Sequence, residues 1–267
     1  RSSGRVQTPT LALIVARERE RLAFVPEDYW VIKGAFDAAE KTGPTSGEGA
    51  LAFEAPHATA RFKDEAQAKA AMAAVEGATS AKVLSIEKRS RKQQPPVPFN
   101  TTSLMTAASA EGLSPARTMR LAESLYMDGY ISYPRVDNTV YPSSLDLEEV
   151  VKTISGNPAY APFCKELLAK GPLTATRGKK ETTDHPPIYP TAMVTPDDLP
   201  PAEYKLYNLI ARRFLATLSE AAVVEGTKVT LDISGEHFTA KGDVLVHEGY
   251  RAIYPYGMKK DEQLPAL

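Results

Sequence analysis

One cysteine, one tryptophan and four histidines are all that the 267 residues hold of those three types. With Cys164 alone, no intrachain disulfide closes and no thiolate zinc site forms. The lack of disulfides fits a reducing compartment. The longest strongly apolar run, 11–16, falls far short of the roughly 20 residues a membrane-spanning helix needs, so no membrane partner is expected. Charge of either sign is not in excess: Lys plus Arg number 32 and Asp plus Glu 33, a formal net charge of −1. A histone-like or polybasic protein is thereby excluded, and any nucleic-acid contact must come from a local patch. No initiator Met and no signal-like apolar segment opens the sequence, which reads as a piece of something longer.

What is present is ordinary for a folded protein. Hydrophobic residues make up 43 % and charged residues 24 %, which argues against wholesale disorder and, at this length, for one or two domains with a real core.

The pattern along the chain predicts an α+β fold. Thr8 can cap a first helix with Pro9 at its first turn, and Leu11, Ile14 and Val15 form its apolar stripe. Residues 29–36, 51–53, 58–62 and 81–89 are rich in β-branched and aromatic residues and predict strands, with a Gly/Ser/Thr/Pro loop at 41–49. Residues 64–75 predict an Ala-rich helix ending at Gly77. The basic, proline-dense stretch 88–98 resists helix and sheet alike and predicts a strap into a second domain. There, 104–111 and a helix opening at Ser114-Pro115 are separated by Gly112, a helix-turn-helix pattern, and 129–134 predicts an extended strand or wing. The pattern over 146–169 is again helical, 177–189 predicts a polar loop, and 203–218 an amphipathic helix with Leu206, Ile210 and Phe214 on one stripe. Strands at 227–233, 237–240 and 245–247 are expected to return to the first β region. The domain boundaries expected are a helix over 1–28, a discontinuous β-rich domain over 29–97 and 219–267, and an inserted winged-helix-like domain over 98–218.

The segment Gly129-Tyr130-Ile131-Ser132-Tyr133-Pro134-Arg135 holds the chemistry of interest. On an extended segment residues i and i+2 share a face. A phenol oxygen can attack a phosphodiester when a guanidinium, whose fork matches two phosphate oxygens, lies beside it. Spacing alone leaves open that Tyr133 and Arg135 simply pack and solvate. Asn100, Thr101, Thr102 and Ser103 could equally be helix caps, and the charge run 88–92 a solvated face. His57, His237 and His247 fall in no motif and are read as structural.

Five ordered motifs resemble those of the type IA DNA topoisomerases. They are Gly4-Arg5-Val6-Gln7-Thr8-Pro9-Thr10-Leu11-Ala12-Leu13, Phe24-Val25-Pro26-Glu27-Asp28-Tyr29-Trp30, Pro96-Val97-Pro98-Phe99-Asn100-Thr101-Thr102-Ser103-Leu104, the stretch 129–138, and Asp184-His185-Pro186-Pro187-Ile188-Tyr189-Pro190-Thr191. The Tyr-Pro-Arg form and the extension through Pro142 are more similar to topoisomerase III or archaeal topoisomerase I. The resemblance implies a β-rich hinge, or arch, bearing a nucleophile domain, and catalytic roles for Tyr133, Arg135 and His185. Tyr133 would form the 5′-phosphotyrosine, Arg135 would place the phosphate, and His185 would support the site through a network with Asp137 or the phosphate backbone. It implies DNA contacts at Arg5, Gln7, Asn100, Thr101, Thr102, Ser103, Asp137 and Asn138. Val136 departs from the pattern, which has threonine there. The implied partners are single-stranded or underwound DNA and the Toprim and gate domains of the same enzyme. The implied cofactor is Mg²⁺, held by that Toprim domain and not by this chain. The implied location is cytoplasmic, at the nucleoid. Two further readings stay open: a non-catalytic winged-helix module for single-stranded DNA, and the topoisomerase half of a reverse gyrase.

Overall fold

A computed structural model describes residues 4–38, 52–257 and 263–265. The chain is α+β, and it divides into two compact units: Arg1–Ile86 with Lys228–Ala240 and Pro265–Leu267, and Glu87–Thr227 with Lys241–Leu264. The expected 41–49 loop and Leu51 lie outside the described residues.

The first unit opens with α1 (Gln7–Ala23), which has no buried residue and no side-chain cap. It begins before the expected Thr8 cap, whose place is taken by Val6. Strands β1 (Lys33–Asp37) and β2 (Ala52–Pro56) pair antiparallel, with Phe36 opposite Phe53. The Phe36 ring stacks on Phe53 at 5.6 Å and meets the edge of Phe238 at 5.7 Å. The strand expected at 58–62 reduces to single bridges, His57 to Phe238 and Trp30 to Phe62. Helix α2 (Glu65–Val75) starts where Asp64 accepts from the Ala66 N–H, and packs Ala68 and Ala71 inward. His57 is buried. Its Nδ1 accepts from the Thr59 N–H at 3.0 Å, so Nε2 is free to donate to Glu236 Oε2 at 2.8 Å. A buried imidazole with both nitrogens engaged is a structural group.

A sheet of order β3 (Lys82–Gln93), β4 (Ala222–Ile233) and β5 (Glu236–His247) has residues in both units. The basic run expected to be a strap therefore forms the end of β3; exposed Arg91 pairs with Asp243 at 2.5 Å. The β4–β5 turn uses Ser234 and Gly235, both at positive φ (53° and 90°), the backbone that a tight hairpin demands.

The second unit is built on helices. They are α3 (Thr101–Ala110), α4 (Pro115–Met127), α5 (Leu147–Ile154), α6 (Ala161–Ala169) and α7 (Pro201–Thr217). Helix α7 is its axis: Leu206, Ile210 and Phe214 are fully buried, as the stripe predicts, with Phe99, Leu104, Leu125, Ile131, Ile154 and Tyr160 in the same core. The helical pattern expected over 146–169 forms two helices, α5 and α6. Asn157 sits at the break, buried, with Nδ2 donating to Val194 O at 2.7 Å and Oδ1 accepting from the Ala159 N–H. Gly156, Asn157 and Pro158 break the helix locally, and the Asn157 bonds fix the geometry of the break. Cys164 is buried on α6, and burial pushes its thiol up to about 11. Arg213 on α7 ties the 97–99 strap down: it donates to Val97 O at 2.8 Å and lies 4.4 Å over the Phe99 ring.

Candidate active site

Three chain segments that are far apart in sequence lace together in the second unit. Ile188 N–H donates to Phe99 O at 2.9 Å, Ser132 N–H to Tyr189 O at 3.0 Å, and Thr191 N–H to Tyr130 O at 3.0 Å. The Ser132 hydroxyl, buried, donates to Pro187 O and accepts from the Tyr189 N–H. The 129–134 stretch, expected as a strand or wing, instead runs through a turn and bends, with Ile131 bridged to Pro190. Gly129 reverses the chain after α4 with φ of 80°, a region that L side chains rarely adopt.

This lacing sets Tyr133 beside His185. The two rings lie 4.7 Å apart between centroids, tilted by 47°. Tyr126 on α4 meets Tyr133 edge-on, with centroids 5.3 Å apart. The Tyr133 ring is half-buried and His185 exposed. Among the described residues no hydrogen bond engages the Tyr133 hydroxyl, so its oxygen is uncommitted. Arg135 is exposed and turns to α4, where Glu123 Oε1 accepts from its Nε at 2.9 Å and from its Nη2. Glu123 and Tyr126, three residues apart, lie on one helix face. Tyr133 and Arg135, two residues apart, thus meet the same face of α4.

The neighbouring residues hold this geometry. The Thr101 hydroxyl accepts from the Val136 N–H at 2.8 Å and lies within hydrogen-bond distance of the Pro134 and Val136 carbonyls. It pins the Tyr-Pro-Arg turn to the start of α3. Asn100 and Ser103 form a reciprocal capping box, so the cap reading of these residues holds. Thr102 is exposed. Asn138 is 3 % exposed; its amide donates to Thr182 O at 2.8 Å and His185 O at 3.0 Å, and its oxygen accepts from the Val140 N–H. Among the described residues no hydrogen bond joins Asp137 to His185; Asn138 reaches the His185 backbone. Asp137 is paired with Lys180. The Thr182 hydroxyl, then the backbone N–H groups of 184 and 185, hold the Asp184 carboxyl below its usual range. Val136, where the resemblance expects threonine, is buried and apolar. Arg5 and Gln7 belong to the first unit, exposed at the start of α1.

Sequence reasoning passed over Glu123 and Tyr126. The available signal was their spacing on α4 just before the Gly129 turn, which brings a helix face back over the segment that follows.

A family model described as DNA topoisomerase matches residues 1–267. The chain belongs to the DNA topoisomerase family. Within it, the type IA branch is supported by relatives named DNA topoisomerase 1 and 3. The chain is 41 % identical over 266 residues to the DNA topoisomerase 1 of Archaeoglobus fulgidus, covering 100 % of this chain and 37 % of that protein. To mouse DNA topoisomerase 3-beta-1 it is 32 % identical over 266 residues, 99 % of this chain and 30 % of the relative. The full-length topoisomerase I of Thermotoga maritima has the same fold, with a TM-score of 0.70 at 24 % identity, over all of this chain and 42 % of that one. The chain thus spans about a third of the length of the curated relatives it matches.

Among the described residues no group of three or more His, Cys, Asp or Glu is placed to hold a metal ion. Among them, too, no helix is long and apolar enough to cross a membrane.

Proposed function

We propose that this chain is the nucleophile-bearing part of a type IA DNA topoisomerase. The observation that carries the reading is the Tyr133 hydroxyl: uncommitted, on a half-buried ring, flanked by His185 and followed by a guanidinium on the same helix face. In this mechanism the Tyr133 oxygen attacks a phosphodiester of single-stranded or underwound DNA. The phosphorus–tyrosine bond forms, the bond to the 3′ oxygen breaks, and that oxygen takes up a proton as the phenol gives one up, so the strand leaves with a 3′ hydroxyl. Arg135 offers two donors to the phosphate oxygens as charge builds on them. Because the phosphotyrosine keeps the energy of the broken bond, resealing by the 3′ hydroxyl needs no ATP.

Under this reading residues 98–218 carry the nucleophile, 29–97 and 219–267 form a hinge, and 1–28 belong to the base of the gate. Leu11, Ile14 and Leu22 on α1, each about 60 to 70 % exposed, are the kind of apolar face that further domains of the same enzyme would cover. Arg5, Gln7 and Thr102 would track the DNA phosphates, Asp137 would act through the Lys180 it pairs with, and Asn100, Thr101, Ser103 and Asn138 would act by holding the site. Mg²⁺ would be bound by the acidic residues of a Toprim domain outside these 267 residues, at the nucleoid where the substrate is.

The test is trapping of a denaturation-resistant adduct between the full-length enzyme and a single-stranded oligonucleotide. An adduct supports cleavage by a covalent mechanism; DNA binding with no adduct would support a non-catalytic winged-helix module instead. The 267-residue chain alone is expected to leave negatively supercoiled plasmid unrelaxed with Mg²⁺ present. Relaxation by it would refute the division of the site between two parts of the enzyme.

A further inference from the structure

Glu123 stands outside every motif that carried the assignment, yet it makes the polar contacts that fix Arg135. A guanidinium has five N–H donors in a planar fork. One carboxylate oxygen, Glu123 Oε1, takes the Nε edge together with one Nη2 hydrogen. Among the described residues Nη1 has no partner, so the Nη1–Nη2 edge, the second two-donor fork, remains open. That edge matches two phosphate oxygens. Glu123 lies on α4, a regular helix of 13 residues, and helix positions hold a site more rigidly than loop positions. An unrestrained arginine at an exposed position samples many rotamers, and ordering it costs entropy at each binding event.

We infer that Glu123 is a positioning residue for the cleavage reaction: it presets Arg135 so that the open edge of the guanidinium meets the scissile phosphate. The inference rests on the topoisomerase reading. A carboxylate beside a phosphate site also repels DNA, so its retention here trades affinity for orientation. Removing it should therefore slow cleavage without weakening binding, which loss of a purely structural contact would not do.

The experiment uses the full-length enzyme and a 5′-labelled single-stranded oligonucleotide, measuring the noncovalent Kd and the single-turnover rate of adduct formation. Glu123→Ala is expected to bind the oligonucleotide as tightly or up to about threefold more tightly, and to cleave about tenfold more slowly, a loss typical of a misplaced reacting group. Glu123→Gln, which keeps an acceptor oxygen without the charge, is expected to cleave within about threefold of the unaltered enzyme. In an Arg135→Ala background, Glu123→Ala is expected to cause no further slowing. Cleavage by Glu123→Ala at the unaltered rate or faster would overturn the inference, since the carboxylate would then be idle or holding Arg135 back. An undiminished loss in the Arg135→Ala background would overturn it too. Failure of the unaltered enzyme to form any adduct would instead bring down the topoisomerase reading on which the inference rests.

Discussion

Tyr133→Phe is expected to abolish covalent capture of single-stranded DNA while leaving the protein folded and able to bind. The substitution removes one atom, and among the described residues that oxygen makes no hydrogen bond. The ring contacts with His185 and Tyr126, at 4.7 and 5.3 Å, are made by carbon atoms that Phe retains. The stability change should therefore stay within about 0.5 kcal/mol, as for surface substitutions away from special features. The chemical loss should be complete, because no other group can carry the strand's 5′ end in its place. Adduct formation by gel after denaturation, with thermal unfolding measured beside it, checks both halves. Persisting adducts would move the nucleophile elsewhere, and a large fall in stability would mean the ring is doing more than the contacts describe.

Asn138→Ala should have the second-largest effect, through a different route. The side chain is buried and makes three hydrogen bonds, to the carbonyls of Thr182 and His185 and to the Val140 N–H. Truncation strands those backbone groups, each at a cost of about 1–3 kcal/mol unless water reaches it. The 182–185 loop is exposed around this anchor, so it should loosen first. His185 would then drift from the Tyr133 ring, and cleavage should fall about tenfold. Hydrogen exchange at residues 182–185 and the rate of adduct formation together test the point. Faster exchange with unchanged cleavage would show that the His185 contact is not needed; unchanged exchange would show that the anchor lies elsewhere.

The elements set by local chemistry were legible in the sequence. The α7 stripe of Leu206, Ile210 and Phe214 predicts a buried helix face, and all three are buried. Asp64 and Ser114 cap the helices their positions predict, and Asn100 closes a capping box. What was not legible depended on partners distant in sequence. Nothing local to Asn157 names Val194 O as its partner, although Gly156-Asn157-Pro158 itself marks the break between α5 and α6. The Thr8-Pro9 start of α1 gives way to a start at Gln7 that no side chain caps. At the site, the motif pointed to Tyr133 and His185 together, and their rings touch. It did not distinguish Asp137 from Asn138 as the residue that supports the His185 loop; only the fold shows that one faces Lys180 and the other is buried beneath the loop. Nor did it disclose Glu123, because a carboxylate on a helix surface looks like any solvated charge until the chain returns over it.

The most direct measurement is to identify the amino acid and the DNA end joined in the trapped adduct. The full-length enzyme is reacted with a single-stranded oligonucleotide, denatured and digested, and the nucleotide-bearing peptide is sequenced by mass spectrometry. The account predicts a phosphodiester from the Tyr133 oxygen to the 5′ end of the downstream fragment, with a free 3′ hydroxyl on the other. A linkage at any other residue, or to a 3′ phosphate, would contradict it.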